Sequence, residues 1–208
     1  MYRPSIPVIA LAALLAAAPA VSACVQPQYS SSQMQAVPTS GIDQALFSDA
    51  IAREASYQRC KRGKRKLAVA PKITGIAARH SQWMAKAGKL THVSTVPGKR
   101  RLGARVRSTR LPFLTASENI ASLSRFQFSE QKFSINDSSG CRFSYNGIPI
   151  PRHTYASLAR RVVELWMNSS GHRRNLLKSG NRLVGGGVGF DAKAPYCGQF
   201  FVTQTYMG

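Results

Sequence analysis

The stretch Trp166-Met167-Asn168-Ser169-Ser170-Gly171-His172-Arg173-Arg174-Asn175-Leu176-Leu177 carries two structural signals in quick succession. An apolar helical face ends around Trp166, and Ser170-Gly171 then opens a short helix running from His172 to Leu177. Reading backwards, Leu158, Val162 and Leu165 share the side of Trp166 on a helix from Tyr155 to about Asn168, while Arg160, Arg161 and Glu164 fall largely on the other. Reading forwards, two strand-like runs close the chain. Leu183 to Phe190 contains the consecutive glycines Gly185 to Gly187, and Cys197 to Tyr206 is rich in aromatic and β-branched residues. No Gly-Lys-Ser/Thr follows the glycines, so a strand packed closely against other backbone explains them better than a phosphate loop.

Towards the N-terminus, Ile42, Leu46 and Ala50 recur with Phe47 and Ile51 beside them, a helical face capped by Ser40 or Asp43 and ended by the basic run Arg59 to Lys66. After Pro71 a second helix carries Ile73, Ile76, Ala77, His80, Trp83 and Met84, and Gly88 stops it. Trp83 and Trp166, at helical spacing among aliphatic residues, are expected in the core. Ser117-Glu118-Asn119-Ile120-Ala121 reads as a short helix or turn. Between residues 122 and 152, Phe126, Phe128, Phe133, Phe143 and Tyr145 alternate with polar positions, and Asn136-Asp137 and Asn146-Gly147 mark turns, which together read as a hairpin. Helices that do not alternate regularly with strands predict an α+β fold with an antiparallel sheet.

The chain has 208 residues, with 29 Lys+Arg against 8 Asp+Glu, a formal charge of +21 and a pI near 10.8. A hydrophobic fraction of 44% excludes a disordered chain, and the length fits one domain. Eight carboxylates cannot pair most of the cations, which must face solvent or an anionic partner: envelope polymer, membrane headgroups or nucleic acid. The excess concentrates at Arg59 to Lys66 and Lys99 to Arg110, the second with six Lys/Arg and no acid. In isolation such a run is a solvated loop.

Arg3 precedes an apolar run from Ile6 to Ala23, short for a membrane span and broken by Pro19 near a small-residue end, so residues 1–23 read as a signal peptide. Val21-Ser22-Ala23-Cys24 also resembles the lipobox of bacterial lipoproteins, in which the cysteine is diacylated; ordinary cleavage after Ala23 is the alternative. Residues 24–40, rich in Gln, Ser and Pro, read as a flexible spacer, and 41–208 as the folded domain. The expected product is an exported protein, lipid-anchored in the envelope through Cys24 or free in the periplasm or medium. With Cys24 lipidated, a bridge between Cys141 and Cys197 is expected, since each opens a strand-like run, and Cys60 is left over as a thiol among positive neighbours. A Cys24–Cys60 bridge is the alternative and requires the non-lipidated form.

Several fragments fall in one order. His80-Ser81-Gln82-Trp83-Met84-Ala85 is followed by Leu90-Thr91-His92, then Glu118-Asn119-Ile120-Ala121, then Trp166 to Leu177, then Gly187-Val188-Gly189. The series resembles the bacterial branch of the CAP (SCP-like) domain, the family of cysteine-rich secretory proteins, antigen 5 and plant pathogenesis-related proteins, over about Ile42 to Tyr206. That resemblance implies a three-layer α-β-α sandwich with a small antiparallel sheet and a cleft where two histidines and acidic residues converge. His92 stands at the first cleft histidine, Glu118 at the Glu-Asn motif and His172 at the Gly-His motif. The second cleft glutamate of many eukaryotic members is absent, since Met167-Asn168-Ser169-Ser170 follows the helix tryptophan.

Two imidazoles and a carboxylate suit Zn²⁺ or another divalent metal with a position left for water, so His92, Glu118 and His172 are the candidate ligands. With Arg173, which directly follows His172, they are also the candidate ligand-binding set, and the basic run 99–110 lines the approach. Without a metal the trio offers a histidine base and a carboxylate orienter. No catalytic nucleophile is evident, because Ser169 and Ser170 adjoin His172 only in sequence. His80 lies on an apolar stripe and reads as a satisfied buried histidine; His153, beside Pro151 in a loop, is expected to be exposed. The favoured function is a cell-envelope or extracellular binding module whose cleft binds a divalent metal or small ligand. The alternative is a metal-assisted hydrolase or nuclease using the same cleft.

Overall fold

In the computed structural model, which describes residues 24–208, the first helix, α1 (Gln44–Cys60), starts where the Asp43 side chain accepts the Leu46 N–H. The expected export segment 1–23 lies outside the described residues. A short strand β1 (Ala68–Val69) leads to α2 (Pro71–Ala87), which begins on a proline at its first turn and ends at Gly88 in the left-handed conformation. Next come α3 (Leu102–Arg107) and β2 (Ala116–Ser124). An insertion follows with β3 (Ser134–Asp137), β4 (Arg142–Tyr145) and β5 (Ile148–Pro149). The helix α4 (Tyr155–Asn168) opens with a reciprocal Thr154/Ser157 capping box, and α5 (Ser170–Leu177) follows after the break at Ser169. The chain closes with β6 (Leu183–Asp191) and β7 (Gln199–Met207).

The main sheet has the order β1-β6-β7-β2, antiparallel except for the parallel edge pair of β1 with β6. Its two faces are covered by different helices, which produces the α-β-α layering. Val184 and Val188 point into the larger core with Phe47 and Ile51 of α1, Leu158, Val162 and Trp166 of α4, and Leu176 of α5. On the opposite face, α2 lies directly on the glycines of β6. A Cβ at Gly185 would stand 2.2 Å from the Thr74 nitrogen, and one at Gly187 2.1 Å from the Ala78 nitrogen. Side chains there would push the layer away, so the glycines are packing residues, as their sequence context predicts.

Several local expectations change. The segment 117–121, read as a short helix or turn, is the middle of β2, and Glu118 to Ala121 are buried. With both faces covered, the strand loses the alternation that would have revealed it. The presumed spacer 24–40 is a strap packed on the domain: Gln33 donates to Asp49 at 2.9 Å, the Tyr29 hydroxyl meets Glu54, Val37 is buried and Ala36 bridges to Thr154. His153, expected in solvent, is buried, its carbonyl accepting the Val37 N–H of the strap and its Nδ1 lying 3.0 Å from the Ser157 hydroxyl. Burial, reinforced by the charge of Arg161, pushes its imidazole down to about 4.

Two disulfides are present, Cys141–Cys197 as expected and Cys24–Cys60. The second corrects the lipid-anchor reading, because the thioether of a diacylated cysteine needs the same sulfur that here bonds Cys60. By chain entropy each loop closure contributes about 4 kcal/mol at most. The Cys141–Cys197 bridge joins the insertion to the turn before β7, beside an aromatic cluster of Phe126, Phe128, Phe133 and Phe143. Among the described residues no helix is long and apolar enough to cross a membrane.

Candidate ligand-binding cleft

Three elements carry the cleft residues. The Gly88 stop releases the chain into a loop that carries His92, β2 carries Glu118, and α5 carries His172 and Arg173. Asparagines tie β2 to α5: the Asn119 side chain donates to the His172 carbonyl at 3.0 Å, and Asn175 donates to the Asn119 side chain at 3.0 Å. The Trp166 indole is fully buried and donates to the Ile120 carbonyl at 3.1 Å, fixing α4 to the same strand. Trp83, by contrast, is only half-buried at the edge of the core, where its indole donates to Thr95.

Glu118 is the centre of the polar network. His92 Nδ1–H donates to its Oε1 at 2.9 Å, and Arg105 Nη2 lies 2.8 Å from both carboxylate oxygens. Burial drives the carboxyl towards protonation, but the His92 hydrogen bond and the Arg105 charge outweigh it, so the group is held below its ordinary range. Arg105 also donates to the carbonyls of His92 and Arg100. His80 is buried, as expected, and its Nε2–H donates to the Thr91 carbonyl at 3.0 Å, which steadies the loop next to His92. Its Nδ1 has no hydrogen-bond partner among the described residues.

His92 remains half-exposed, with Nε2 the ring nitrogen not engaged by Glu118. His172 is also partly exposed, and its Nδ1 lies 2.9 Å from the Ser169 hydroxyl. Burial, and after it the positive field of His92, shifts His172 downwards. Arg173 donates to the Met167 carbonyl at 2.7 Å, so part of its guanidinium holds the α4/α5 corner.

The three-ligand metal centre does not fit this arrangement. Both Glu118 oxygens are engaged by Arg105, whose charge would repel a cation. Among the described residues no group of three or more His, Cys, Asp or Glu side chains could hold a metal ion. Among the described residues His92 has a carboxylate behind it but no hydroxyl or thiol hydrogen-bond partner, and His172 has a serine neighbour but no carboxylate behind it.

Arg105 is the residue that sequence reasoning missed. It sits in the acid-free run that looked solvated, yet it is 4% exposed. The one available signal was the pair Leu102 and Val106, whose helical spacing turns one side of α3 inward.

An α-β-α sandwich with a His/Glu network on its edge strand defines a class of secretory-protein domain. The chain belongs to the cysteine-rich secretory protein (CAP) family, whose profile matches residues 55–206. No curated protein is similar enough in sequence to count as a match. Among solved structures, an outer surface protein from Borrelia burgdorferi superposes with a TM-score of 0.53 at 16% identity, covering 80% of this chain and 96% of that one. An extracellular protein containing an SCP domain from Bacillus anthracis has a TM-score of 0.49 at 21% identity, covering 78% of this chain and 40% of that one. A cysteine-rich secretory protein from Staphylococcus aureus has a TM-score of 0.45 at 14% identity, covering 82% and 40%. The chain thus spans about 40% of the length of the last two.

Proposed function

We propose that the chain is an exported binding module that engages an anionic cell-envelope polymer, with the cleft serving recognition and not bond cleavage. The observation that carries this reading is the state of Glu118, the one cleft carboxylate, which is neutralised by Arg105 and hydrogen-bonded by His92. A carboxylate so engaged is a weak base and a poor metal ligand. The groups left facing outwards are imidazoles and cations, His92, His172 and Arg173, which suit an anionic group on a ligand. Export is supported by the two disulfides, which persist in oxidising compartments.

The test incubates the oxidised protein with an end-labelled anionic polymer, with and without added Zn²⁺. Retention of the polymer at full length, with weaker retention by the His92→Ala/His172→Ala variant, is the expected result. Shortening of the polymer that disappears in the same variant would replace binding by hydrolysis.

A further inference from the structure

Between Glu54 and Glu118 the chain contains no Asp or Glu and sixteen Lys or Arg. Two of these, Arg59 and Arg105, are buried and bonded internally. Six others surround two concavities on α2 and α3. Lys72, Arg79 and Arg110 line one of about 480 Å³ together with Gly75, and Arg100, Arg101 and Arg107 line one of about 520 Å³ together with Gly103. All six are exposed, and none forms an ion pair among the described residues.

The two notches are built alike. A Cβ at Gly75 would stand 3.4 Å from the Arg79 guanidinium four residues on, and one at Gly103 the same 3.4 Å from Arg107. Within 4 Å each would meet nothing except that arginine. Packing therefore does not call for glycine at either place, in contrast to β6. Inside α2, Gly75 costs roughly 1 kcal/mol of helix stability relative to alanine. What glycine provides is an open floor beside a guanidinium folded back along its own helix.

We propose that this face binds a linear phosphate-bearing polymer, with phosphates of one chain seated in both notches. Five of the six cations are arginines, whose planar fork of donors matches phosphate oxygens. The concave form favours a chain over a bilayer, and none of the exposed large hydrophobic side chains lines either notch for insertion into lipid. The proposal rests on the anionic-polymer reading and adds to the His92/His172 site a second set of contacts for the same polymer.

The probe is labelled long-chain inorganic polyphosphate, titrated with the oxidised protein between 50 and 200 mM salt. Six seated cations predict a log–log salt slope of about −4 and a loss of affinity on the order of 10²-fold over that range. Changing all six to Gln should weaken binding at least tenfold at 50 mM and flatten the slope. Changing six cations elsewhere (Lys61, Arg62, Arg65, Lys66, Lys132 and Lys193) to Gln should cost less than threefold. The charge-neutral pair Gly75→Leu/Gly103→Leu should weaken binding several-fold with thermal stability unchanged or higher.

Equal losses in the two six-cation variants, or no effect of the glycine pair, would reduce the face to generic charge and overturn the proposal. Tighter, face-dependent binding to phosphatidylglycerol vesicles than to polyphosphate would overturn it in favour of a membrane. If the cleft variant loses the polymer and the face variant keeps it, the notch proposal fails while the cleft reading stands. If the unaltered protein does not bind the probe at 50 mM salt, the notch proposal fails, and the anionic-polymer reading stands only if a carboxylate-bearing polymer is retained.

Discussion

Two basic runs, 59–66 and 99–110, look alike in sequence, and each hides one arginine in the protein interior. Arg59 is inaccessible to solvent and donates to the carbonyls of Arg65, Leu176, Lys178 and Asn181, joining the end of α1 to the connection between α5 and β6. Arg105 is almost as buried, but its guanidinium meets Glu118, one of only eight acids in the chain. Backbone dipoles suffice to hold a buried arginine as a clamp between segments. A carboxylate partner does something further, because it fixes the ionisation of a group beside which His92 faces solvent. The same composition thus serves folding at one place and the electrostatics of a site at the other.

The largest expected effect comes from Arg59→Met, which leaves several carbonyls unpaired in the interior. A loss of about 4 kcal/mol in urea unfolding is expected, with little change in ligand binding by the cleft. Arg105→Gln should cost about 3 kcal/mol, because the buried Glu118 charge loses its main partner. Here the comparison can be broken: adding Glu118→Gln should recover at least half of that loss, whereas no second substitution of a carboxylate rescues Arg59→Met. Recovery in both backgrounds would show that the two arginines are held in the same way.

The strap is next in size. Cys24→Ser/Cys60→Ser should cost about 2–3 kcal/mol, since Cys60 directly follows Arg59 and the bridge closes a long loop in the unfolded chain. Alkylation before reduction should label no cysteine of the exported protein, and its mass should show no diacylglycerol on Cys24. Detection of that lipid would remove the bridge and, with it, the second anchor of the Arg59 region.

The smallest difference lies in the pH dependence. His153 titrates at about 4 in the fold and near 6.5 when unfolded, so the unfolded chain binds the extra proton between these values. Stability is fully present above about 6.5 and falls as pH drops towards 4 in every variant. Glu118 is held below its unfolded value of about 4.5, so its contribution is lost as pH falls below that range. Arg105→Gln should make this second, more acidic loss shallower, while Arg59→Met should leave it as in the unaltered protein. Urea midpoints between pH 3 and 8 distinguish the two.

Much of the scaffold is legible in residue spacing. The α4 face of Leu158, Val162 and Trp166, the Gly88 stop of α2 and the role of Gly185 to Gly187 follow from local periodicity and backbone sterics. The order of motifs from His80 to Gly189 points to the family whose profile the chain matches. The β2 strand was hidden because Asn119 and Ala121 on one face and Glu118 and Ile120 on the other are all buried. The strap was hidden because it docks through isolated residues, Tyr29, Gln33 and Val37, and not through a repeating face. His153 misled because its backbone is held by Val37 of the strap and by Arg125, both distant in the chain.

What the residues determine alone is the three long helices, the two closing strands, the glycine seam beneath α2 and the excess of positive charge. These depend on backbone geometry and composition, which act over a few neighbouring positions. Tertiary structure alone decides which two cations leave solvent, that the Cys24 sulfur bonds Cys60, and that Glu118 faces Arg105 in place of an open metal site. Those outcomes depend on separations of a few ångströms between groups distant in the chain, where charge and hydrogen-bond energies rise steeply and sequence periodicity carries no information.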